Sequence, residues 1–191
     1  EFLLERKKEI LDWFKIRPEY FDFYSNKIKS NNINLNDNTC VINFRGGEYM
    51  CVKNLIPSQS YWQNAIKQMQ TINKDMQFII ITDDIINARY FIGNYPCYHF
   101  DVGIDFFIVN QAKYSILSAS SFSWWASWLN TQSKLIIAPK YWSRHNVSNG
   151  YWSQGDSWTK GWFYINREGA LQDDSSCKEE ALSFYKKNNL I

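Results

Sequence analysis

The sequence predicts an α/β fold: a Rossmann-like parallel sheet flanked by helices. Three observations predict it. Five apolar runs, at 40–44, 78–82, 97–100, 114–118 and 135–138, have the length and continuity of buried strands. Segments with helical apolar spacing separate them, the alternation that builds a parallel sheet. Residues 114–139, YSILSASSFSWWASWLNTQSKLIIAP, compress strand, turn, helix and strand into one βαβ unit. No GxGxxG accompanies these strands, which disfavours a dinucleotide oxidoreductase.

Length and composition bound the rest. With 191 residues the chain has room for one substantial domain. Its apolar share, 45%, is ordinary for a globular protein, but 18% aromatic residues with nine Trp implies a rich core or stacking surfaces for rings. A formal charge of +2 without a basic stripe argues against a nucleic-acid partner. Cys40, Cys51, Cys97 and Cys177 are far apart and form no CxxC, so they read as reduced, buried thiols of a cytoplasmic protein. The sequence reads as one without a signal peptide and contains no run of eighteen apolar residues. The Asn146-Val147-Ser148 sequon reads as chance. Residue 1 is Glu rather than Met, which predicts a piece of a longer polypeptide.

In chain order, residues 2–16 read as an amphipathic helix ended by Arg17-Pro18, because the residue before Pro avoids the α region. A second helix spans 19–30, with Tyr20, Phe23, Tyr24 and Ile28 on its apolar side. An Asn-rich linker, 31–39, leads to the first strand. That strand runs straight into Arg45-Gly46-Gly47-Glu48-Tyr49. A cation at a strand end beside two glycines lets a guanidinium and loop amides close on one anion; a surface hairpin turn with an exposed Arg is the other reading. Helix 57–71 has Ser58 as its cap. The strand after it ends in Thr82-Asp83-Asp84, where Asp84 reads as the cap of helix 85–92 or a crevice-edge acceptor rather than a metal ligand. His99 lies in an apolar run and reads as a satisfied core or surface histidine. A helix over 103–113 starts at Asp105, whose carboxylate either serves a site or stabilises the helix start.

In the βαβ unit, Ser118, Ser120 and Ser121 precede Phe122, and Trp125, Trp128 and Leu129 share one helix face. Free amides at that helix start, with serine hydroxyls beside them, suit an anion; a Trp-rich core helix with a serine cap fits the same residues. Beyond Pro139 the chain is Trp-rich, with turn sequences at 148–150 and 154–156 and an edge strand at 161–165. It reads as a folded flap or a sugar-facing loop. An amphipathic helix at 176–187 ends it.

Ser120 to Asn130, SSFSWWASWLN, followed by IIAPKYW, resembles the C-terminal signature of the α-1,2-fucosyltransferases, glycosyltransferase family 11; Ala126 and Ser127 stand where Gly and Ala are usual. The first-strand loop resembles that family's HxRRGDY motif. Arg45 matches its first Arg, while Asn43 replaces the His, Gly46 the second Arg and Glu48 the Asp. The segment MQFIII-Thr82-Asp83-Asp84 looks like the family's F-x-x-x-S/T-D-D, and Asp105 matches, by its distance from SSFSWW, an Asp that holds the guanine or ribose end of the donor.

The resemblance covers 35–165 well. It implies the nucleotide-binding half of a GT-B glycosyltransferase and inverting transfer of fucose from GDP-fucose to a glycan hydroxyl, with no metal cofactor. Residues 1–34 would be a helical linker from a mostly missing acceptor-side half, and 35–191 the GDP-sugar domain. Arg45 would grip the pyrophosphate, helped by Asn43, the Gly46 and Gly47 amides, Ser120, Ser121 and Phe122. Glu48 is the nearest carboxylate to serve as base, although Arg45 beside it would weaken it as one. The expected partners are a GDP-sugar and an oligosaccharide acceptor, at a cytoplasmic location with peripheral membrane association left open. Another GDP-sugar donor, or a silent sugar-nucleotide or glycan-binding module, are the alternatives.

Overall fold

The computed structural model describes residues 2–52, 55–142 and 158–189. In order they form α1 (Phe2–Glu5), α2 (Lys7–Trp13), α3 (Pro18–Ser30), β1 (Thr39–Phe44), a short 3-10 helix (Gly47–Cys51), α4 (Gln59–Ile72), β2 (Gln77–Thr82), α5 (Ile85–Ile92), β3 (Cys97–Tyr98), α6 (Val102–Gln111), β4 (Tyr114–Leu117), α7 (Ser121–Trp128), β5 (Leu135–Pro139), β6 (Phe163–Ile165), β7 (Leu171–Asp173) and α8 (Asp174–Lys187). The strands make one sheet in the order β3-β2-β1-β4-β5-β6-β7. All neighbours pair in parallel except β6 with β7. The five expected strands are present and parallel, with their C-terminal ends on one rim.

Strand periodicity sorts the core. Cys40, Ile42 and Phe44 of β1 face α4 and α5, packing with Tyr61, Trp62, Ala65 and Met69. Val41, between them, points to the other face, where Phe107, Ile108, Ala126 and Trp128 of α6 and α7 gather. Both faces are covered, which is why β1 is buried along its whole length. Trp62 is fully buried, and truncating such a ring costs about 3–5 kcal/mol.

Several expectations need correction. The N-terminal helix breaks at Arg6 and stops at Trp13; Trp13 and Phe14 are exposed, and in this segment Ile10 is buried. On α3, Ile28 is buried, while Tyr20 and Phe23 are exposed. Helix α3 nonetheless packs on α6, with Phe21 and Tyr24 against the Phe107 ring. Helix α6 begins at Val102, capped by the Asp101 carboxylate accepting from the Ile104 amide, so Asp105 sits one turn inside it. The segment 163–165 is an interior strand, because the unforeseen β7 pairs beside it. Cys40 and Cys177 are buried as expected, but Cys51 is exposed; all four are free thiols. Trp158 and Trp162 fill core. Trp152, the two turns at 148–150 and 154–156, and the sequon lie outside the described residues. Among the described residues, no helix is long and apolar enough to cross a membrane.

Candidate functional site

The chain leaves β1 toward α4 on one face and leaves β4 toward α7 on the other, while β1 and β4 are neighbours. Connections that diverge between adjacent parallel strands open a crevice beyond their C-terminal ends. A cleft of about 420 Å³ lies there, lined by Asn43, Phe44, Arg45, Glu48, Tyr49, Thr82, Asp83, His99, Val102, Asp105, Ser120, Ser121 and Phe122. Seven residues singled out from the sequence meet in it: Asn43, Arg45, Glu48, Asp105, Ser120, Ser121 and Phe122. Gly46 and Gly47 do not line it.

Ser118 joins the two strand ends. Its hydroxyl donates to the Asn43 carbonyl at 2.5 Å and accepts from the Arg45 amide at 2.7 Å. Arg45 is thereby fixed at the rim, and its guanidinium is shared. Nη1 lies 2.6 Å from Asp83 Oδ2, Nη2 lies 2.9 Å from Glu48 Oε1, and the group sits 5.4 Å from the Tyr49 ring centre.

The glycine amides, expected to be offered to an anion, already have partners. Gly46 N–H donates to Asp83 Oδ1 at 2.8 Å and Gly47 N–H to Asp84 Oδ2 at 3.2 Å. The two glycines serve close approach instead. A Cβ on Gly46 would stand 2.5 Å from Asp84 Cβ, and Gly47 has a left-handed φ of 49°. Asp84 also caps α5 by accepting from the Asn87 amide, as expected, and these hydrogen bonds hold its carboxyl below the ordinary range against the opposing pull of burial. The acidic pair thus organises the loop that carries Arg45.

The opposite wall holds Asp105. Its side chain is almost fully buried; Oδ1 accepts from the Phe100 amide at 3.1 Å and Oδ2 lies 3.3 Å from His99 Nδ1. Burial pushes its carboxyl up to about 6, against the pull of those two partners. Asn43, also buried, donates from Nδ2 to the Ile81 carbonyl at 3.1 Å, and its Oδ1 has no hydrogen-bond partner. An unsatisfied buried acceptor on a cleft wall is rare enough in native proteins to call for a reason.

The third wall is the start of α7. Ser120 occupies the cap position without a capping hydrogen bond from its side chain, and no acidic residue stands in the first turn. Ser123, not Ser120, turns its hydroxyl inward, to the Ser118 and Ser120 carbonyls. The tandem tryptophans lie behind, Trp124 5.7 Å from Trp128 and hydrogen-bonded to Thr159. They fix the helix to the core, as the reading of a Trp-rich core helix expects, and the start of the helix faces the cleft. Sequence reasoning missed Asp83 as the partner of Arg45, and His99 as a cleft residue. The double acid after β2 was the available signal for the first.

A wider apolar groove of about 830 Å³ adjoins the cleft, sharing Val102, Ser121 and Phe122 with it, and continues over Phe14, Tyr20, Phe106 and Trp125.

The model of glycosyl transferase family 11 matches residues 4–166. Among curated proteins, the chain is 27% identical over 125 residues to the O-antigen biosynthesis glycosyltransferase WbnK of Escherichia coli, covering 58% of this chain and 41% of that protein. It is 23% identical over 137 residues to the alpha-1,2-colitosyltransferase of Escherichia coli, covering 64% of this chain and 47% of that one. The matched stretch is under half the length of either relative. A solved structure of POFUT1 in complex with GDP-fucose overlaps 63% of this chain and 46% of its own, at 10% identity and a TM-score of 0.45, a likeness too loose to bear on function.

Proposed function

Since the chain belongs to glycosyl transferase family 11, we propose that it is the donor-binding part of an inverting α-1,2-fucosyltransferase that moves fucose from GDP-fucose to a glycan hydroxyl. The observation that carries this reading is the convergence, in one switch-point cleft, of Arg45, the uncapped start of α7 and the buried acceptor Asp105. In it the diphosphate lies between the Arg45 guanidinium and the first-turn amides of α7 at Ser121 and Phe122. The guanine edge, which presents N–H donors, lies against Asp105 and the unsatisfied Asn43 Oδ1.

The chemistry needs little more from this half. The acceptor hydroxyl oxygen attacks the anomeric carbon and gives up its proton to water, the bond from that carbon to the diphosphate oxygen breaks, and its electron pair stays on the leaving GDP. Arg45 and the helix start stabilise that charge as it develops. Glu48 is mostly exposed and paired with Arg45, which suits it to orient the guanidinium rather than to accept the hydroxyl proton. No metal enters this scheme: Asp83 and Asp84 are committed to the loop. Residues 1–34 join this domain to an acceptor-side half, in a protein that works in the cytoplasm or at a membrane surface.

Calorimetry with GDP, GDP-fucose and UDP, with and without EDTA, tests the reading. GDP and GDP-fucose should bind with EDTA present, and UDP should not. Metal-dependent binding, or UDP bound as well as GDP, would overturn it. A second reading, transfer of another GDP-linked sugar, is favoured by the relative named for colitose and by Asn43 and Gly46 departing from the fucosyltransferase motif in the donor loop. GDP-mannose in the same titration series separates the two.

A further inference from the structure

We propose that His99 is a donor-positioning residue: its imidazole holds the buried Asp105 carboxylate ionised and oriented so that it accepts the paired N–H donors of a guanine edge. The inference rests on the donor reading above and adds to it a residue that no motif marks.

The geometry carries it. Strand β3 ends at Tyr98, and Phe100 stacks on the Tyr98 ring at 5.9 Å, which sets the short link into α6. That link places His99 Nδ1 3.3 Å from Asp105 Oδ2 while the Phe100 amide takes Oδ1. A carboxylate only accepts, so Nδ1 carries the proton and donates. Each carboxylate oxygen then has one partner and a lone pair to spare, and two parallel lone pairs match the N1–H and N2–H of guanine. Neither adenine nor uracil presents two adjacent donors on one edge. His99 is half exposed and lines the cleft, so its removal opens no core cavity. A buried carboxylate with weaker support would take up a proton and lose one of those acceptor positions.

The other charged groups near the pair act in known directions. Asp101, on the same helix start, raises the Asp105 carboxyl, whereas the Phe100 amide and His99 lower it. Across the cleft stand Arg45, Glu48 and Asp83, and Tyr24 of α3 packs on the far side of α6. Of these, His99 is the one whose substitution changes Asp105 without touching the anion loop or the fold of the helix.

The experiment is GDP and ADP affinity between pH 5.5 and 8.5 for the whole chain as wild type, His99→Ala and His99→Gln, with the Asp105 carboxyl followed by 13C NMR. ADP carries the same diphosphate, so the GDP-to-ADP ratio isolates the base. In the wild type that ratio should fall as pH drops through about 6. In His99→Ala the fall should begin nearer neutrality, with the ratio about twofold lower at pH 7, about fivefold lower at pH 6 and close to wild type at pH 8.5, and the carboxyl titration should move up in step. His99→Gln, whose amide can donate to the carboxylate, should recover most of the ratio at pH 7. A His99→Ala curve superimposed on wild type, or a loss equal at every pH, would overturn the proposal while leaving the donor reading standing. A wild type that fails to prefer GDP over ADP would overturn both it and the donor reading. Should His99→Ala fold poorly, an unchanged Asp105 titration in a folded His99→Phe variant would sink it equally.

Discussion

Arg45 Nη1 lies 2.6 Å from Asp83 Oδ2, and the other oxygen of the same carboxylate accepts the Gly46 amide. The cation best placed for a diphosphate is therefore held by an acid 38 positions later in the chain. Asp83 makes Arg45 rigid and also competes with whatever anion enters. Among the cleft-lining residues Arg45 is the permanent cation, facing Glu48, Asp83 and Asp105. A diphosphate bound there, as proposed, would share the guanidinium with Asp83, and the helix start of α7 would add to the attraction.

Arg45→Ala should therefore remove most of the affinity for GDP, about 2–3 kcal/mol or roughly a hundredfold in dissociation constant. Arg45→Lys should recover only part of it, because an ammonium cannot serve Asp83 and a phosphate with a planar fork. Melting of the ligand-free protein should change little: a partly exposed ion pair contributes about 0–1 kcal/mol, and Asp83 keeps the Gly46 amide. Calorimetry alongside a thermal melt checks both halves. Undiminished GDP binding by a folded Arg45→Ala protein would remove this loop from the site.

Glu48 gives a test with the opposite sign. It is exposed, sits 2.9 Å from Arg45 Nη2 and adds negative charge at the mouth of the proposed anion site. Glu48→Gln should tighten GDP binding by about two- to threefold at low ionic strength, an advantage that fades toward 0.5 M salt as screening sets in. Weaker binding in the glutamine variant would mean that Glu48 is needed to hold Arg45 in its binding pose.

The fold was legible because parallel strands buried on both faces write themselves as unbroken apolar runs, as CVINF and FIIIT do. Strand β7 was not, since Leu171–Asp173 is short and half polar and becomes a strand by pairing with β6. The sequence DVGID offers two acids at one helix start, and periodicity does not choose between them. The structure uses Asp101 as the cap and buries Asp105 one turn later, where its chemistry changes. The rim positions of Arg45 and the serine turn could be read because each follows a strand directly. The partners of Gly46 and Gly47 could not: they come from the end of β2, and only the sheet order brings that rim beside β1.

Restoring the family's second arginine should hurt. At Gly46 a Cβ would stand 2.5 Å from Asp84 Cβ and 2.9 Å from the Phe44 ring, with the loop backbone pinned by Asp83. Neither neighbour is the free end of a flexible chain. Gly46→Arg should cost about 1–3 kcal/mol of stability through overpacking and loop displacement, and GDP affinity should fall despite the added charge. Denaturant titration and GDP binding measured together decide it. A stable Gly46→Arg protein with tighter GDP binding would show that the loop relaxes freely into the family's conformation.

Asp105 carries a pH signature that can be read without any ligand. Its carboxyl is raised to about 6 in the folded chain, first by burial. A group whose folded value lies above its unfolded value, near 3.9 for Asp, binds its proton more tightly when folded, so its contribution to stability is complete below about pH 4 and is lost as pH rises through about 6. Above that, the folded protein carries an ionised carboxylate that burial disfavours. Asp105→Asn keeps the shape and an acceptor for the Phe100 amide but removes this titration. Its stability relative to wild type should therefore climb between pH 4.5 and 7, by about 1–2 kcal/mol once the partial solvent contact of the site is allowed for. The measurement is urea unfolding at several pH values for both proteins. The slope of the difference is what counts, since asparagine adds a constant offset of its own; a flat difference across that window would mean the carboxylate is no harder to ionise in the fold than in the unfolded chain. The same substitution should weaken GDP binding at pH 7.5, placing Asp105 among residues that function keeps at a cost to stability.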